Sequence, residues 1–361
     1  MTLLPHRTVA SQLTAQLRAE IRKGTWRGWL PAERSLAQLV HASRNTLRTA
    51  LEQLVSEGVI EIRHGIGARI RPAALAGVPS EPSRTIGILV PDAIGSLRPL
   101  LALWIDELKD LLVEEGWRVR VHDGRQFYQR QPNRALERLT AQHPHDAWVL
   151  TLSSEPMQRW FARHAVPCLV VGSVYPEIAL PFVDLDYHAA CRHAAGVLLR
   201  LGHTRLALLN RESRRAGDVD SERGFTESVR SLPAGDVSVQ IAYHRDDVDS
   251  VNHALGRLLD RPAAPTAIVV SNSYAYLATA SLLALRGLRI PRDISLISRD
   301  DDPFLRALAP APARYVVSPH TFATRIIGPV LRLANGEPVT SKAVRLLPKY
   351  VPGGSVASPR R

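Results

Sequence analysis

The sequence predicts two units of different fold class, a small α+β unit at the N-terminus and a larger α/β unit after it. Residues 8–70 have the spacing of helices followed by two short strands, whereas from Ile86 onward short apolar runs alternate with amphipathic stretches. A segment with three prolines and little charge separates the two patterns. We therefore predict domains at residues 1–72 and 85–353, a linker at 73–84 and a tail at 354–361, with a frayed end.

The charge balance favours a polyanionic partner. The 46 lysines and arginines exceed the 34 aspartates and glutamates, and the net charge is +12. Cations that displace counterions from phosphates supply most of the sequence-independent affinity of proteins for DNA. The signal is weak by itself, because nearly all the cations are arginines, a bias that a GC-rich genome also produces.

Other features of the composition argue against several classes of protein. The two cysteines, Cys168 and Cys191, are too few for a disulfide framework or a cysteine-rich metal site, so we expect buried thiols and no metal or cofactor. The chain has no apolar run of the roughly 20 residues that span a bilayer. Its first residues also lack the pattern of an export signal. We therefore expect a cytoplasmic protein that is not attached to a membrane.

Residues 8–57 predict three helices, over 8–23, 32–40 and 43–57. The apolar positions that we expect to be buried are Val9, Leu13, Leu17 and Ile21 in the first, Leu36, Leu39 and Val40 in the second, and Leu47, Ala50, Leu51, Leu54 and Val55 in the third. Ser43 is placed to cap the third helix, and a glycine follows it.

The opposite face of the third helix carries candidate DNA contacts. Arg44, Asn45 and Arg48 lie in its first turn and a half, the part of a recognition helix that reaches base edges in helix-turn-helix proteins. Arginine suits either a bidentate contact to guanine or a contact to phosphate. The residues of this helix leave both open, and an ordinary solvated helix face remains an alternative.

Residues 59–70 predict two short strands around a glycine-containing tip, which is the pattern of a wing. Arg63, His64 and Arg69 flank the turn. Gly65 and Gly67 let the backbone approach a sugar-phosphate chain closely.

This region resembles the winged helix-turn-helix of the GntR family. The resemblance is carried by LPAERSLA at 30–37, SRNTLRTAL at 43–51, EGVI at 57–60 and HGIG at 64–67. It implies that Arg34, Arg44, Thr46 and Arg48 contact operator DNA and that His64 and Gly65 bring the wing into the minor groove. The candidate DNA contacts are Arg34, Ser43, Arg44, Asn45, Thr46, Arg48, His64, Gly65 and Gly67.

From residue 85 the sequence predicts two α/β lobes. Apolar runs of strand length occur at 86–90, 119–121, 147–152, 167–172, 206–209, 266–270 and 294–297, and helical patterns separate most of them. This alternation favours parallel sheets that are covered on both faces by helices.

Polar side chains follow several of these strands, where open α/β sheets bind their ligands. Hydroxyl, amide and carboxylate groups together with tyrosines suit a polyhydroxylated small molecule. Polar residues also populate ordinary loops, so each position has a structural alternative. The candidate effector-binding residues are Asp92, Ser96, Ser153, Tyr175, Asn272, Tyr274 and Asp300.

Residues 85–353 resemble the effector domain of the LacI family, which has the two-lobed fold of periplasmic sugar-binding proteins. The matching segments are TIGILVPD at 85–92, VDLD at 183–186, GHTRLA at 202–207, GF at 224–225, PTAI at 265–268, SN at 271–272, GLRIPRDISLI at 287–297 and DD at 300–301. The resemblance implies that Asn272 and Asp300 bond ligand hydroxyls from one lobe. Asp92, Ser96 and Ser153 would do so from the other.

The chain departs from that family at positions that concern the ligand. An arginine that contacts the sugar usually stands three residues before the Gly-Phe pair, but this position is Ser221. The usual Asn-Asp pair is Asn272-Ser273, and the usual Gly-Phe before the paired aspartates is Ser298-Arg299. We therefore leave the identity of the ligand open.

Three competing functions fit the sequence less well. A GntR-type regulator with an aminotransferase-like domain needs a Schiff-base lysine in a larger C-terminal domain. An enzyme needs a catalytic motif, and the chain has no nucleophile elbow, phosphate loop or His-x-x-x-His spacing. A secreted or membrane-tethered sugar receptor shares the C-terminal fold, but it does not carry a DNA-binding unit.

We therefore predict a homodimeric transcription regulator that binds double-stranded operator DNA and a small-molecule effector, and that is not an enzyme. A repressor of carbohydrate-related genes, released by its ligand, is the favoured form. A nucleoside or sugar acid as effector, a corepressor or activator mode, and an enzyme acting on a sugar-like substrate are the alternatives.

Overall fold

A computed structural model describes residues 9–22, 25–26, 28–63, 66–71, 84–213, 215–230 and 237–360. The chain forms two compact units. One comprises Met1–Thr85 with Gln129–Asp146, and the other comprises Ile86–Tyr128 with Ala147–Arg361. Most of the predicted linker, residues 73–83, lies outside the described residues.

The described residues up to 71 of the N-terminal unit form three helices and a two-stranded antiparallel sheet. These are α1 (Val9–Arg22), α2 (Glu33–Leu39), α3 (Arg44–Ser56), β1 (Ile60–Arg63) and β2 (Gly67–Ile70). The three predicted helices are thus confirmed, and their buried faces form one apolar core. Two of the predicted core residues are wrong: Val9 is 71% exposed and Leu39 is 63% exposed, because each lies at an end of its helix, away from that core.

The C-terminal unit has two lobes, each built on a six-stranded sheet. The first lobe has the strand order β13-β7-β6-β5-β3-β4. Its strands are β3 (Thr85–Val90), β4 (Arg118–Asp123), β5 (Ala147–Thr151), β6 (Cys168–Val171), β7 (Phe182–Leu185) and β13 (Ala343–Leu346). Helices α4 (Pro99–Glu114), α6 (Glu155–Arg163) and α11 (Pro319–Ala334) belong to it, and α5 (Asn133–Gln142) lies in the inserted segment that groups with the N-terminal unit.

The second lobe has the strand order β14-β12-β11-β10-β8-β9. Its strands are β8 (Arg205–Arg211), β9 (Ser238–His244), β10 (Ala267–Val270), β11 (Ser295–Ser298), β12 (Ala313–Val316) and β14 (Lys349–Val351). Its helices are α7 (Tyr187–Arg200), α8 (Ala216–Arg230), α9 (Val248–Leu259) and α10 (Ser273–Leu285). Apolar clusters cover both faces of this sheet, as expected for parallel strands between two helical layers. The predicted two-lobed α/β architecture is confirmed.

The chain passes between the lobes three times: from β7 to α7, from β12 to α11, and from β13 to β14. These passages lie beside one another. The Asp186 amide donates to the Leu346 carbonyl, with 2.7 Å between N and O, and Val316 is paired with Lys349 across β12 and β14. The parallel strands of the two sheets therefore point their carboxyl ends toward a common cleft.

The last residues pack more closely than a tail would. Ser355 is fully buried and its hydroxyl accepts from the Ala313 amide at 2.8 Å. The Ala357 carbonyl lies 2.8 Å from Nε2 of the buried His203. The second lobe therefore continues beyond residue 353, because this segment satisfies polar groups at the edge of β11.

Among the described residues, no helix combines the length and the apolar character needed to span a bilayer.

Substitution of Gly224 tests the close packing of α7 against α8. An added Cβ would lie 2.0 Å from the His188 carbonyl oxygen, a backbone atom that cannot move independently. We expect Gly224→Ala to lower the free energy of unfolding by about 1–3 kcal/mol in denaturant titrations, as overpacking usually does. Gly328→Ala on α11 is the matched control, because an added Cβ there meets nothing within 4 Å. Equal stability of the two variants would contradict this packing.

Candidate functional site: a helix-turn-helix surface and an interlobe cleft

The start of α3 presents an exposed polar surface. The Ser43 side chain caps the helix by accepting from the Thr46 amide, with 3.1 Å between Oγ and N, and the two hydroxyl oxygens lie 2.7 Å apart. Arg44, Asn45 and Arg48 are exposed on the helix that follows. The cap thus fixes where α3 begins and directs these side chains away from the core.

The arginines of this surface differ in how far they are neutralised. Arg48 lies 3.3 Å from the Glu33 carboxylate of α2, with both side chains half exposed or more. Arg34 and Arg44 have no carboxylate partner among the described residues, and both line a shallow recess between α2 and α3. An exposed ion pair such as Arg48–Glu33 contributes little and breaks readily, so all three guanidinium groups are accessible to phosphate or base.

The wing is reinforced by a third strand-like segment. Leu30 donates its amide to the Ala68 carbonyl at 2.9 Å, and Ile70 donates to the Gly28 carbonyl at 2.8 Å. Gly67 opens β2 with a φ of +136°, a conformation that L side chains rarely adopt. His64 and Gly65, the predicted tip residues, lie outside the described residues.

A cavity of about 650 Å³ lies between the two lobes of the C-terminal unit. Six of the seven predicted effector-binding residues line it: Asp92, Ser96, Ser153, Asn272, Tyr274 and Asp300. The seventh, Tyr175, is not among the lining residues, and its backbone amide donates to the Gln158 side chain at 3.1 Å. Ligand binding by these residues stays a prediction.

Asp300 is already engaged in ion pairs. Its Oδ2 atom accepts from Arg98 Nη1 of the first lobe at 2.7 Å, and its Oδ1 atom lies 3.3 Å from Arg299 Nε. Burial opposes ionisation of Asp300, but Arg299 and Arg98 outweigh it and hold the pKa at about 2. Asp300 thus joins the lobes, a role that the sequence did not indicate.

Asp302 continues this contact between lobes. Its Oδ1 atom accepts from the Leu100 amide in the first turn of α4 at 2.7 Å, and its Oδ2 atom lies 3.4 Å from Arg98 Nε. Ser273 also donates to it. Arg345 of β13 and Asp220 of α8 form a further ion pair between the lobes, with 2.8 Å between Nη1 and Oδ2.

The other predicted residues retain part of their hydrogen-bonding capacity. The Asn272 carbonyl oxygen caps α10 by accepting from the Ala275 amide at 2.8 Å, and its amide nitrogen, which donates to Asp246 at 3.4 Å, has a second N–H. The Ser153 hydroxyl accepts from Gln158 at 2.9 Å and keeps its own proton for donation. Asp92 pairs with Arg125 at 2.6 Å.

Arg299 explains two departures from the LacI pattern together. Its Nη1 atom donates to the Ser221 hydroxyl at 2.7 Å and lies 3.2 Å from Asp218. Its guanidinium stands 4.1 Å from the centroid of the Tyr187 ring. The position that usually supplies an arginine has a serine here, and a guanidinium from the end of β11 bonds that serine.

Several buried polar atoms at this end of the second lobe have no hydrogen-bond partner among the described residues. They are Asn210 Oδ1, Asp218 Oδ2, His244 Nε2 and Ser271 Oγ. Asp218 and His244 line the cavity. Buried polar atoms are almost always satisfied, so Asp218 and His244 are the candidates here for contact with a small molecule or water.

Sequence reasoning missed the charged lining of the cleft. The residues concerned are Arg98, Arg125, Asp184, Arg211, Arg215, Asp218, His244, Asp246 and Arg299. Several of them directly follow or end a strand, so position in the sheet was an available signal. Arginines are too frequent in this chain for residue type alone to distinguish them.

Comparison with known proteins agrees with this geometry. Residues 9–70 match the model of bacterial regulatory proteins of the gntR family. Residues 195–356 match the model of the periplasmic binding protein-like domain. The chain thus joins a segment similar to gntR-family regulatory proteins to a segment similar to the periplasmic binding protein-like domain.

Curated relatives of this two-domain chain are transcription regulators. The HTH-type transcriptional regulator AglR of Rhizobium meliloti is 31% identical over 153 residues, which cover 41% of this chain and 42% of AglR. DegA of Bacillus subtilis is 28% identical over 44% of this chain and 46% of its own length. The arabinose metabolism transcriptional repressor of Geobacillus stearothermophilus is 25% identical over 77% of each chain. The match thus spans less than half the length of the first two relatives.

Solved structures show the same fold for the effector domain. A LacI family transcriptional regulator from Bifidobacterium animalis has a TM-score of 0.67 at 21% identity, covering 77% of this chain and 99% of that one. A LacI family regulator from Enterococcus faecium with bound ribose has a TM-score of 0.62 at 19% identity, covering 76% of this chain and 99% of that one.

Asp184 in the cleft provides a pH test of this site. Burial raises its pKa from 3.8 to about 6, although hydrogen bonds from Ser173 and the Leu185 amide and the nearby Arg299 and Arg345 oppose the shift. The folded state binds the proton more tightly than the unfolded state. The free energy of unfolding should therefore fall as the pH rises from about 4 through 6.

We expect Asp184→Asn to remove this fall, because the amide carries no charge, its oxygen still accepts from the Leu185 amide, and its nitrogen donates to the Ser173 hydroxyl in place of accepting from it. At neutral pH the variant should be more stable than the parent by on the order of 2–3 kcal/mol. Denaturant titrations of both proteins at several pH values measure the difference. A parent whose stability fell no more than that of the variant over this range would contradict the assignment.

Proposed function

We propose that this protein is a homodimeric transcription repressor that acts in the cytoplasm and releases operator DNA when a carbohydrate-like effector binds between its two lobes. The observation that carries the proposal is one chain with both an exposed cationic helix start and an enclosed polar cleft. The first suits DNA and the second a small polyhydroxylated molecule.

Relatives support both halves of this function. Those named above are regulators, one of them a repressor of arabinose metabolism, and a protein with the same effector fold was solved with ribose. Regulation rather than catalysis is the function we assign, because most charged groups of the cleft, among them Asp92, Asp246 and Asp300, are held in ion pairs.

Dimerisation follows from the geometry of DNA. Two recognition helices that enter successive major grooves read half-sites about one helical turn, or 34–36 Å, apart. Closure of the lobes on a ligand changes the spacing of the two DNA-binding domains in such a dimer, with a coupling of about 1–3 kcal/mol.

Replacement of Arg44 tests the DNA-binding surface. The operator is first selected from random duplexes with the full-length protein, and a near-palindromic sequence is expected. We then expect Arg44→Ala to weaken binding to that operator about tenfold or more in fluorescence anisotropy, through loss of a base or phosphate contact. Arg257→Ala is the control, because Arg257 is an exposed arginine on α9 of the other unit. Unchanged operator affinity in the Arg44 variant would refute this role of α3.

Two adjacent serines test the effector site. A thermal-shift screen of sugars, sugar acids and nucleosides identifies a ligand that raises the melting temperature of the protein. Ser153 lines the cavity whereas Ser154 does not, and Ser154 Oγ makes no hydrogen bond in the structure. We expect Ser153→Ala to weaken ligand affinity about tenfold, the equivalent of one lost hydrogen bond, and to raise the ligand concentration that releases DNA. Ser154→Ala should change neither, and equal effects of the two variants would contradict the site.

A further inference from the structure

Arg215 differs from the other arginines of the cleft. Arg98, Arg125, Arg211 and Arg299 each have a carboxylate oxygen within 3.2 Å of a guanidinium nitrogen. Arg215 also lines the cavity, but its guanidinium has no carboxylate or hydrogen-bond partner among the described residues. It is therefore a cation in the cleft wall that forms no ion pair with the residues the structure describes.

The environment of Arg215 is unfavourable to its charge. Burial lowers its pKa and the charge of Arg211 lowers it further, whereas the charges of Asp218 and Asp246 act in the opposite sense. Removing a cation from water without a partner is costly, so such groups are normally paired or exposed. A bound anion would supply the missing partner.

The backbone beside Arg215 favours the same kind of ligand. Ala216 and Gly217 are the first two residues of the 15-residue helix α8, and both line the cavity. Their amides have no acceptor within the helix, and the positive end of the helix dipole adds to the guanidinium charge. At Gly217 a Cβ would lie 3.0 Å from the Tyr187 ring, so the lack of a side chain lets this ring pack against the start of the helix.

The carboxylates of the cleft are committed elsewhere. Asp246 pairs with Arg211 at 2.9 Å, and Asp247 caps α9 by accepting from the Ser250 amide at 2.7 Å. One oxygen of Asp218 lies 3.2 Å from Arg299, and burial favours the neutral form of Asp184. None of them forms an ion pair with Arg215.

The unsatisfied polar atoms of Asp218 and His244 suit hydrogen bonds with hydroxyl groups of a ligand. Asp218 Oδ2 is a buried acceptor without a donor, and His244 Nε2 is a buried ring nitrogen without a partner. Asp218 lies three residues after Arg215 on the same wall of the cleft. One molecule that bears several hydroxyls and one anionic group therefore matches both the orphaned atoms and the unpaired guanidinium.

We propose that the effector is a polyhydroxylated anion, a sugar acid or a sugar phosphate, whose charged group binds Arg215 and the first amides of α8. This inference rests on the proposed function, in which the cleft holds the effector.

Matched ligands test the charge of the effector. Isothermal titration calorimetry of the full-length protein compares neutral pentoses and hexoses with their aldonic acids, uronic acids and terminal phosphates. We expect at least one anion to bind tenfold or more tightly than its neutral parent, and the carboxylate and phosphate arms identify which anion it is. A neutral sugar that binds as tightly as its acids and phosphates overturns this inference and leaves the proposed function intact. If no ligand of the panel binds, the proposal of a carbohydrate-like effector is itself contradicted.

Variants at and after Arg215 test whether this residue binds the anionic group of the ligand. Arg215→Met should weaken binding of the anion tenfold or more and leave its weakly bound neutral parent unaffected, whereas Arg215→Lys should retain part of the anion affinity. Arg223→Met is the matched control, because Arg223 lies on α8, which Arg215 directly precedes, and it has a 58% exposed side chain that pairs with Asp220. Thermal unfolding without ligand verifies that each variant is folded. Retention of anion binding in a folded Arg215→Met protein overturns the assignment.

Discussion

The cleft depends on a line of buried ion pairs that runs from one lobe into the other. Asp218 and Asp300 share Arg299, and Asp300 and Asp302 share Arg98, which precedes α4 of the first lobe. Charges removed from water are tolerated only when each has its partner, so loss of one member would leave the next uncompensated. The relative position of the two cleft walls thus depends on these aspartates and arginines all being charged.

This arrangement separates two tasks within one cavity. The ion pairs near α4 hold the walls, whereas Asp218 Oδ2, His244 Nε2 and the guanidinium of Arg215 line the cavity without a partner among the described residues. Asp300 illustrates the division. Its position in the sequence predicts a residue that binds a sugar, but its carboxylate forms ion pairs with two arginines.

Much of the fold was predictable because it follows from local pattern. The helices of the N-terminal unit and the central strands of each lobe have clear periodicity or continuous apolar runs. Strands β7, β9, β12, β13 and β14 were not recognised. Four of them have only three or four residues, which is too short for a clear pattern, and the seven-residue β9 is an edge strand whose apolar residues are interrupted by polar ones. The lining of the cleft was predictable only in part. Residues that follow strands were found from their position. The pairing of Arg98 with Asp300 was not, because the two residues lie 202 positions apart and no local signal marks such a pair.

The three passages between the lobes have a mechanical consequence. One flexible connection would allow the lobes to bend, twist and slide, whereas three adjacent ones, tied by the Asp186–Leu346 hydrogen bond and the Val316–Lys349 pairing, oppose twisting and sliding. Bending about a single axis remains as the soft degree of freedom. A molecule that enters the cleft would therefore change mainly one quantity, the angle between the two lobes about that axis.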